Sequence, residues 1–250
     1  MKFLKHHPFP VEATLERVVA LSFAFPEEAL RPMIPSELKI DSYQGLGFVT
    51  IALVWTKDLR PAAFPRWLGQ DFFLAGYRIF TRLHDESGRR LRGLKILRSE
   101  TDKRRMVWLG NTMTGYNYRQ VSVKIETEGT QTRVRTTGAD GVITLDLTFD
   151  DCGGDIDLPA GSPFPDWRTA RRFAGPMPFT FSPTEDGMVV IEGQRTTWTP
   201  RPVVLKNWCA SIFDEDPFHD FAPVVANAFA VDDIPYRWNA GRIIRPITRT

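Results

Sequence analysis

The chain has 250 residues, of which 42% are hydrophobic and 25% charged, with 18 Phe and 7 Trp; this is ample material for a core and excludes a disordered chain. Its 32 basic and 30 acidic residues leave a net charge of +2, too balanced for a nucleic-acid or anionic-lipid binder, so a small molecule is the expected ligand. The two cysteines, Cys152 and Cys209, form no CxxC pair and are expected as reduced thiols. The first residues, MKFLKHHPFPVE, lack the apolar stretch of a secretory signal, and no run approaches the roughly 20 apolar residues of a membrane span. A cytoplasmic location without membrane contact is therefore expected. All-β chains of this length commonly fold as one unit, so a single domain over residues 1–250 is the simplest organisation.

Residues 14–25, TLERVVALSFAF, are β-branched and aromatic without helical spacing and predict a strand. Pro26, Glu27 and Glu28 suit the start of a short helix that Pro32 stops. A turn region over 41–47 leads into GFVTIALVWT, a central strand with both faces buried. Residues 58–71, DLRPAAFPRWLGQD, read as a long loop on their prolines and glycine. FFLAGYRIFTRLH, a turn at 85–88 and the return strand 89–99 make a hairpin. VSVKIETEG, TQTRVRTTG and VITLDLTFD alternate apolar with polar residues and predict an antiparallel meander, with Lys124 on its exposed face.

Residues 153–186 interrupt the pattern with six prolines. A short helix capped by Asp166 and ended by Gly175 lies inside this stretch, whose segment 159–183 is expected to cover one mouth of the sheet as irregular chain. MVVIEGQRTTWT and VVLKNWCASIF predict two further strands. Phe218, Phe221, Ala222, Val225, Ala226 and Phe229 then share one helical face and predict a helix, and AVDDIPYRWNAGRII closes as a strand. The whole reads as a mainly β chain with a few short helices.

The stretch RRLRGLKILRSE, residues 89–100, carries the candidate chemistry. Period-two alternation sets Leu91, Gly93, Lys95, Leu97 and Ser99 on one side of the strand. If that side faces an interior, the Lys95 ammonium loses hydration beside a glycine that leaves room for a ligand, which is how a lysine becomes a nucleophilic amine. A lysine on a solvated face is the plain alternative. Lys95 is thus the candidate catalytic residue, and Gly93, Arg78 and Glu100 are the candidate substrate-binding residues. The four histidines, at 6, 7, 84 and 219, form no HExxH or HxH motif, so no metal is expected. The absence of a GxSxG elbow, a P-loop and a GxGxxG turn lowers the case for a serine hydrolase, NTPase or Rossmann enzyme, and no cofactor is assigned. Cys209, among bulky neighbours, reads as an inert core residue, and Trp198, Trp208, Tyr236 and Trp238 as core or wall.

PEEALRPMIPSELKID, GLGFVTIALVWT, the prolyl-aromatic loop, FLAGYRIFTRL and VANAFAVDDIPYRW together resemble a family of bacterial proteins grouped with acetoacetate decarboxylase. The resemblance spans most of the chain and implies a closed, strongly bent antiparallel β-barrel with its ligand cavity inside. In acetoacetate decarboxylase the nucleophile is a lysine in a Gly-x-Pro-Lys-Lys run, and the nearest match here is Gly93-Leu94-Lys95-Ile96. Ile96 replaces the second lysine and the proline is absent. Between Lys57 and His84, where the decarboxylase places glutamates, the acids are Asp58 and Asp71. Two functions follow. One is a Schiff-base lyase or decarboxylase acting on a small oxo acid through Lys95. The other is a barrel that binds a small apolar or anionic ligand without chemistry. Assembly into a homo-oligomer is left open.

Overall fold

Two buried faces on one sheet define the architecture. A computed structural model describes residues 5–154, 156–175 and 177–245. In chain order, β1 (Val11–Pro26), the single-turn α1 (Glu27–Leu30), β2 (Lys39–Ile40) and β3 (Leu46–Pro61) are followed by the hairpin of β4 (Gln70–His84) and β5 (Arg90–Thr101). Next come α2 (Arg104–Met113), β6 (Tyr118–Gln120), β7 (Ser122–Glu128), β8 (Gln131–Thr137), β9 (Ile143–Asp150) and α3 (Trp167–Phe173). The chain then forms β10 (Phe179–Thr184), β11 (Gly187–Arg195), β12 (Arg201–Pro202), β13 (Val204–Ala210), β14 (Val224–Trp238) and β15 (Arg242–Ile244).

Hydrogen-bonded pairing runs β14-β1-β3-β4-β5-β10-β11, and β11 pairs back to β14, so seven strands close a ring. The ring is mixed. The antiparallel pairing that the resemblance implies holds around the ring except at β5–β10, which is parallel over Phe179↔Gly93 to Phe181↔Lys95. The predicted meander β7–β8–β9 is present, but with β13 it forms a separate four-stranded sheet outside the ring.

Long strands such as β1 show no clean alternation because both of their faces are dry. Val19, Leu21, Phe23 and Phe25 pack outward with Val49, Ile51, Leu53 and Ile79 against Val134, Leu145, Leu147 and Phe149 of the small sheet. Leu15, Val18, Ala20, Ala52, Val54 and Phe229 face the ring interior.

Three predicted elements are corrected. Strands enter both ends of 58–71, because β3 runs to Pro61, where Val11 pairs with it, and β4 resumes at Gln70, so the connection is confined to 62–69. The expected irregular cover 159–183 contains β10, which sits in the ring. Pro183 is tolerated there because β10 pairs with β5 only as far as Phe181. The helix expected at 218–229 is instead a turn followed by β14. Pairing with β1 along Val11↔Trp238 to Ala24↔Val224 outweighs the helical spacing, and Ala226, Ala228 and Ala230 are buried at strand period. Conversely, α2 had no sequence expectation, and Cys209 is exposed at the outer sheet rather than buried. The Asp166 cap is as expected: its side chain accepts a hydrogen bond from the Thr169 backbone at 2.7 Å. No helix of the described residues is long and apolar enough to cross a membrane.

Candidate functional site

The interior of the ring holds a cavity of about 460 Å³. Its wall is mostly apolar: Leu15, Val18, Ala52, Val54, Phe72, Leu74, Phe80, Leu94, Ile96, Phe229 and Trp238 among others. The connection 62–69 and α2 border it through Phe64, Leu68, Arg105 and Leu109, and Phe64 and Leu68 are exposed.

Bulges decide which polar side chains reach this interior. Between Tyr77↔Arg98 and Arg78↔Ile96 the β4–β5 register slips by one residue, leaving Leu97 extra. A bulge of this kind inverts the facing of everything beyond it. Ile96 and Ser99 therefore both line the cavity, while Arg98 and Glu100 fall on the outer face. Asp58 and Asp233 hold left-handed backbone (φ 55° and 49°), and the alternation of β3 and β14 shifts across them, so that Leu59, Tyr236 and Trp238 also point inward.

These placements correct most of the expected site. Lys95 does not line the cavity; Leu94 and Ile96 on either side of it do. It stands opposite Ile79 and Phe181, both fully buried in the outer core, and is itself half-buried, so desolvation holds its amine below the usual lysine pKa. Gly93 offers no space for a ligand, because a Cβ there would come within 2.6 Å of the Phe181 ring. Glu100, 1% exposed, ties the two sheets together. It accepts hydrogen bonds from Tyr77 at 3.1 Å, Thr136 at 3.1 Å and Thr144 at 3.0 Å, and Arg98 lies 3.2 Å away as its ion-pair partner.

Arg78 alone of the four reaches the cavity. Its guanidinium lies back over Gly76, where a Cβ would stand 2.7 Å from Nη2. Its Nε is buried without a hydrogen-bond partner, and no carboxylate pairs with it among the described residues. Burial depresses its pKa, opposed by the nearby phenols of Tyr236, Tyr118 and Tyr116. Those phenols are themselves held protonated by burial: Tyr118 is pushed up to about 12, and Tyr116 and Tyr236 are also raised. Tyr116 shares a 2.5 Å hydrogen bond with Thr180. Tyr236 is hydrogen-bonded to Arg195, its neighbour across the β11–β14 closure, and Arg195 lies 5.2 Å from the centre of the Trp198 ring. Among the described residues, no lysine, aspartate or glutamate lines the cavity.

Sequence reasoning missed Tyr116, Tyr118, Thr180, Arg195 and His7 as cavity residues. His7 is 8% exposed, burial holds its pKa below the usual histidine value, and it is held in left-handed backbone (φ 55°) by hydrogen bonds to Met113 and from Gly241. Apart from Tyr116 and Tyr118, two residues apart where the chain enters β6, they come from separate strands and loops, so no residue spacing announced the group. Tyr236, Trp238 and Trp198 were expected as wall and do line the cavity. No group of three or more His, Cys, Asp or Glu able to hold a metal occurs among the described residues.

The profile of DUF2071, described as an uncharacterized conserved protein, matches residues 12–232. The chain belongs to the DUF2071 family. No curated protein sequence matches this DUF2071 protein. Its fold is similar to that of acetoacetate decarboxylase from Legionella pneumophila, with a TM-score of 0.64 and 10% identity over 97% of this chain and 90% of that one. The enduracididine biosynthesis enzyme MppR, complexed with pyruvate, matches with a TM-score of 0.60 and 12% identity over 94% and 90% of the two chains. An acetoacetate decarboxylase-like enzyme from Sphingomonas wittichii matches with a TM-score of 0.58 and 13% identity over 98% and 94%. This DUF2071 protein therefore has the acetoacetate decarboxylase-like fold that its sequence resembles.

Proposed function

We propose that this protein binds a small carboxylic acid with an apolar body in the ring cavity, through ion pairing and hydrogen bonds rather than through an imine. The observation that carries the reading is Arg78, a buried guanidinium with no acid to pair with among the described residues, at the side of a mostly apolar cavity. A buried cation without a counter-charge is costly to keep, and a ligand carboxylate supplies that charge in bidentate geometry. The apolar wall suits a hydrocarbon or aromatic body, and concave apolar sites with a few convergent polar groups are where small ligands bind. Oxo acids belong to this class, and the pyruvate bound by the structurally similar MppR is one of them. An imine needs an amine in the cavity wall, and Lys95 lies on the far side of its strand, so a covalent role is not part of the reading.

Titration calorimetry with 4-phenylbutanoate tests it. Binding is expected for the native chain, weakened at least tenfold, which is about 1.4 kcal/mol, in Arg78→Met. Lys95→Met is expected to bind as the native chain does, and borohydride with a 2-oxo acid is expected to leave the intact mass unchanged. A borohydride adduct on Lys95, or full affinity in Arg78→Met, would overturn the reading.

A further inference from the structure

The polar side of the cavity holds hydrogen-bond donors in excess of acceptors. A guanidinium only donates, so in the Arg195–Tyr236 hydrogen bond the phenol oxygen accepts and its own proton is left over. Among the described residues no acceptor takes that proton. The Tyr116–Thr180 bond joins two hydroxyls and uses one of their two protons. Tyr118 has no hydrogen bond through its hydroxyl among the described residues, and Arg78 adds a fork of donors. One carboxylate on Arg78 does not occupy them all.

The placement of Tyr236 is itself built. Its hydroxyl lies where a Cβ on Gly193 would stand, so that any side chain at 193 would displace it. Gly193 and Arg195 occupy β11 at the point where the ring closes on β14, in register with Trp238 and Tyr236. The Tyr236 ring also packs on Trp238, with centroids 4.4 Å apart. Ring, hydroxyl and hydrogen-bonded neighbour are thus all fixed, and the free O–H belongs to a group that burial keeps protonated.

We infer that Tyr236 is a specificity-determining residue that donates a hydrogen bond to a second oxygen of the ligand, which is therefore an oxo or hydroxy acid and not a plain carboxylic acid. The inference rests on the carboxylate reading above: Arg78 takes the carboxylate and Tyr236 the oxo or hydroxyl oxygen. A site built to hydrogen-bond a substrate oxygen rejects the analogue lacking it, because the buried donor is then left unpaired.

A matched pair of acids separates the two contacts: 4-phenyl-2-oxobutanoate and 4-phenylbutanoate, each titrated calorimetrically into the native chain and into Tyr236→Phe. The native chain is expected to bind the oxo acid at least tenfold more tightly. Tyr236→Phe is expected to bring the two affinities within about twofold of one another by weakening the oxo acid alone. Retained binding of 4-phenylbutanoate shows that this variant is folded. Equal affinities in the native chain, or an oxo-acid preference that survives in Tyr236→Phe, would overturn the role of Tyr236 and leave the Arg78 reading standing. Failure of both acids to bind the native chain would overturn both.

Discussion

Arg78 is maintained at a cost to the empty protein. Its guanidinium is desolvated and lacks an acid partner, so replacing it with an apolar side chain of similar length removes a penalty and leaves the packing over Gly76. Arg78→Met is expected to raise the unfolding free energy of the ligand-free chain by about 0.5–2 kcal/mol while weakening carboxylate binding at least tenfold. Urea unfolding without ligand checks this, and a lower midpoint for the variant would show that the guanidinium contributes to the fold. The contrast with Lys95 is instructive at this scale. Both are cations in apolar strands, but Arg78 lies on the inner face of β4 and Lys95 on the outer face of β5. Lys95 thus faces away from the cavity, while its neighbours Leu94 and Ile96 face into it.

At the scale of elements, the outer sheet is held by charge as well as by its apolar face. Asp146 of β9 receives hydrogen bonds from Arg133 at 2.8 and 2.7 Å and from Arg135 at 2.9 and 2.7 Å, both on the neighbouring β8. Arg133 first, with Arg135 adding, lowers its pKa to about 2, against burial acting in the opposite direction. A carboxylate depressed in the folded state contributes stability that is fully present above its unfolded pKa of about 3.9 and is lost as pH falls through the folded value. Because the cluster is largely solvated, Asp146→Asn is expected to cost no more than about 1 kcal/mol at pH 7. The difference from the native chain should narrow below about pH 4 and be gone below about pH 2. Urea midpoints at pH 7, 4 and 2 measure it; a difference that stays constant with pH would mean that the cost is steric. The elements legible in the sequence were those with a local signature: the Asp166-capped helix, the β4–β5 hairpin with its turn and the alternating meander. The misread ones were β10 and β14, where pairing partners distant in sequence override proline and helical spacing.

For the whole molecule, closure of the ring around a cavity couples ligand binding to global stability, since the wall draws residues from β1, β3, β4, β5, β10, β11 and β14. An acid that binds only this folded ring, present at one hundred times its Kd, is expected to stabilise the chain by about 2.7 kcal/mol and to raise Tm by roughly 5–11 °C. Thermal unfolding with and without 4-phenyl-2-oxobutanoate reads this directly, and an unchanged Tm in the presence of measured binding would place the acid outside the ring. What the sequence by itself determined is composition and local pattern: a mainly β chain, most of its strands, a resemblance to the acetoacetate decarboxylase-like fold, and Arg78 among the site candidates. Only the tertiary structure decided which side of each strand is the inside. Facing is inherited along a strand only until the next bulge; the shift at Leu97 leaves no mark in residue type, and an aspartate such as Asp58 or Asp233 tolerates left-handed backbone without requiring it. Past those points Ser99, Tyr236 and Trp238 turn toward the cavity while Glu100 turns away, and the lysine that alternation had singled out ends against the outer core.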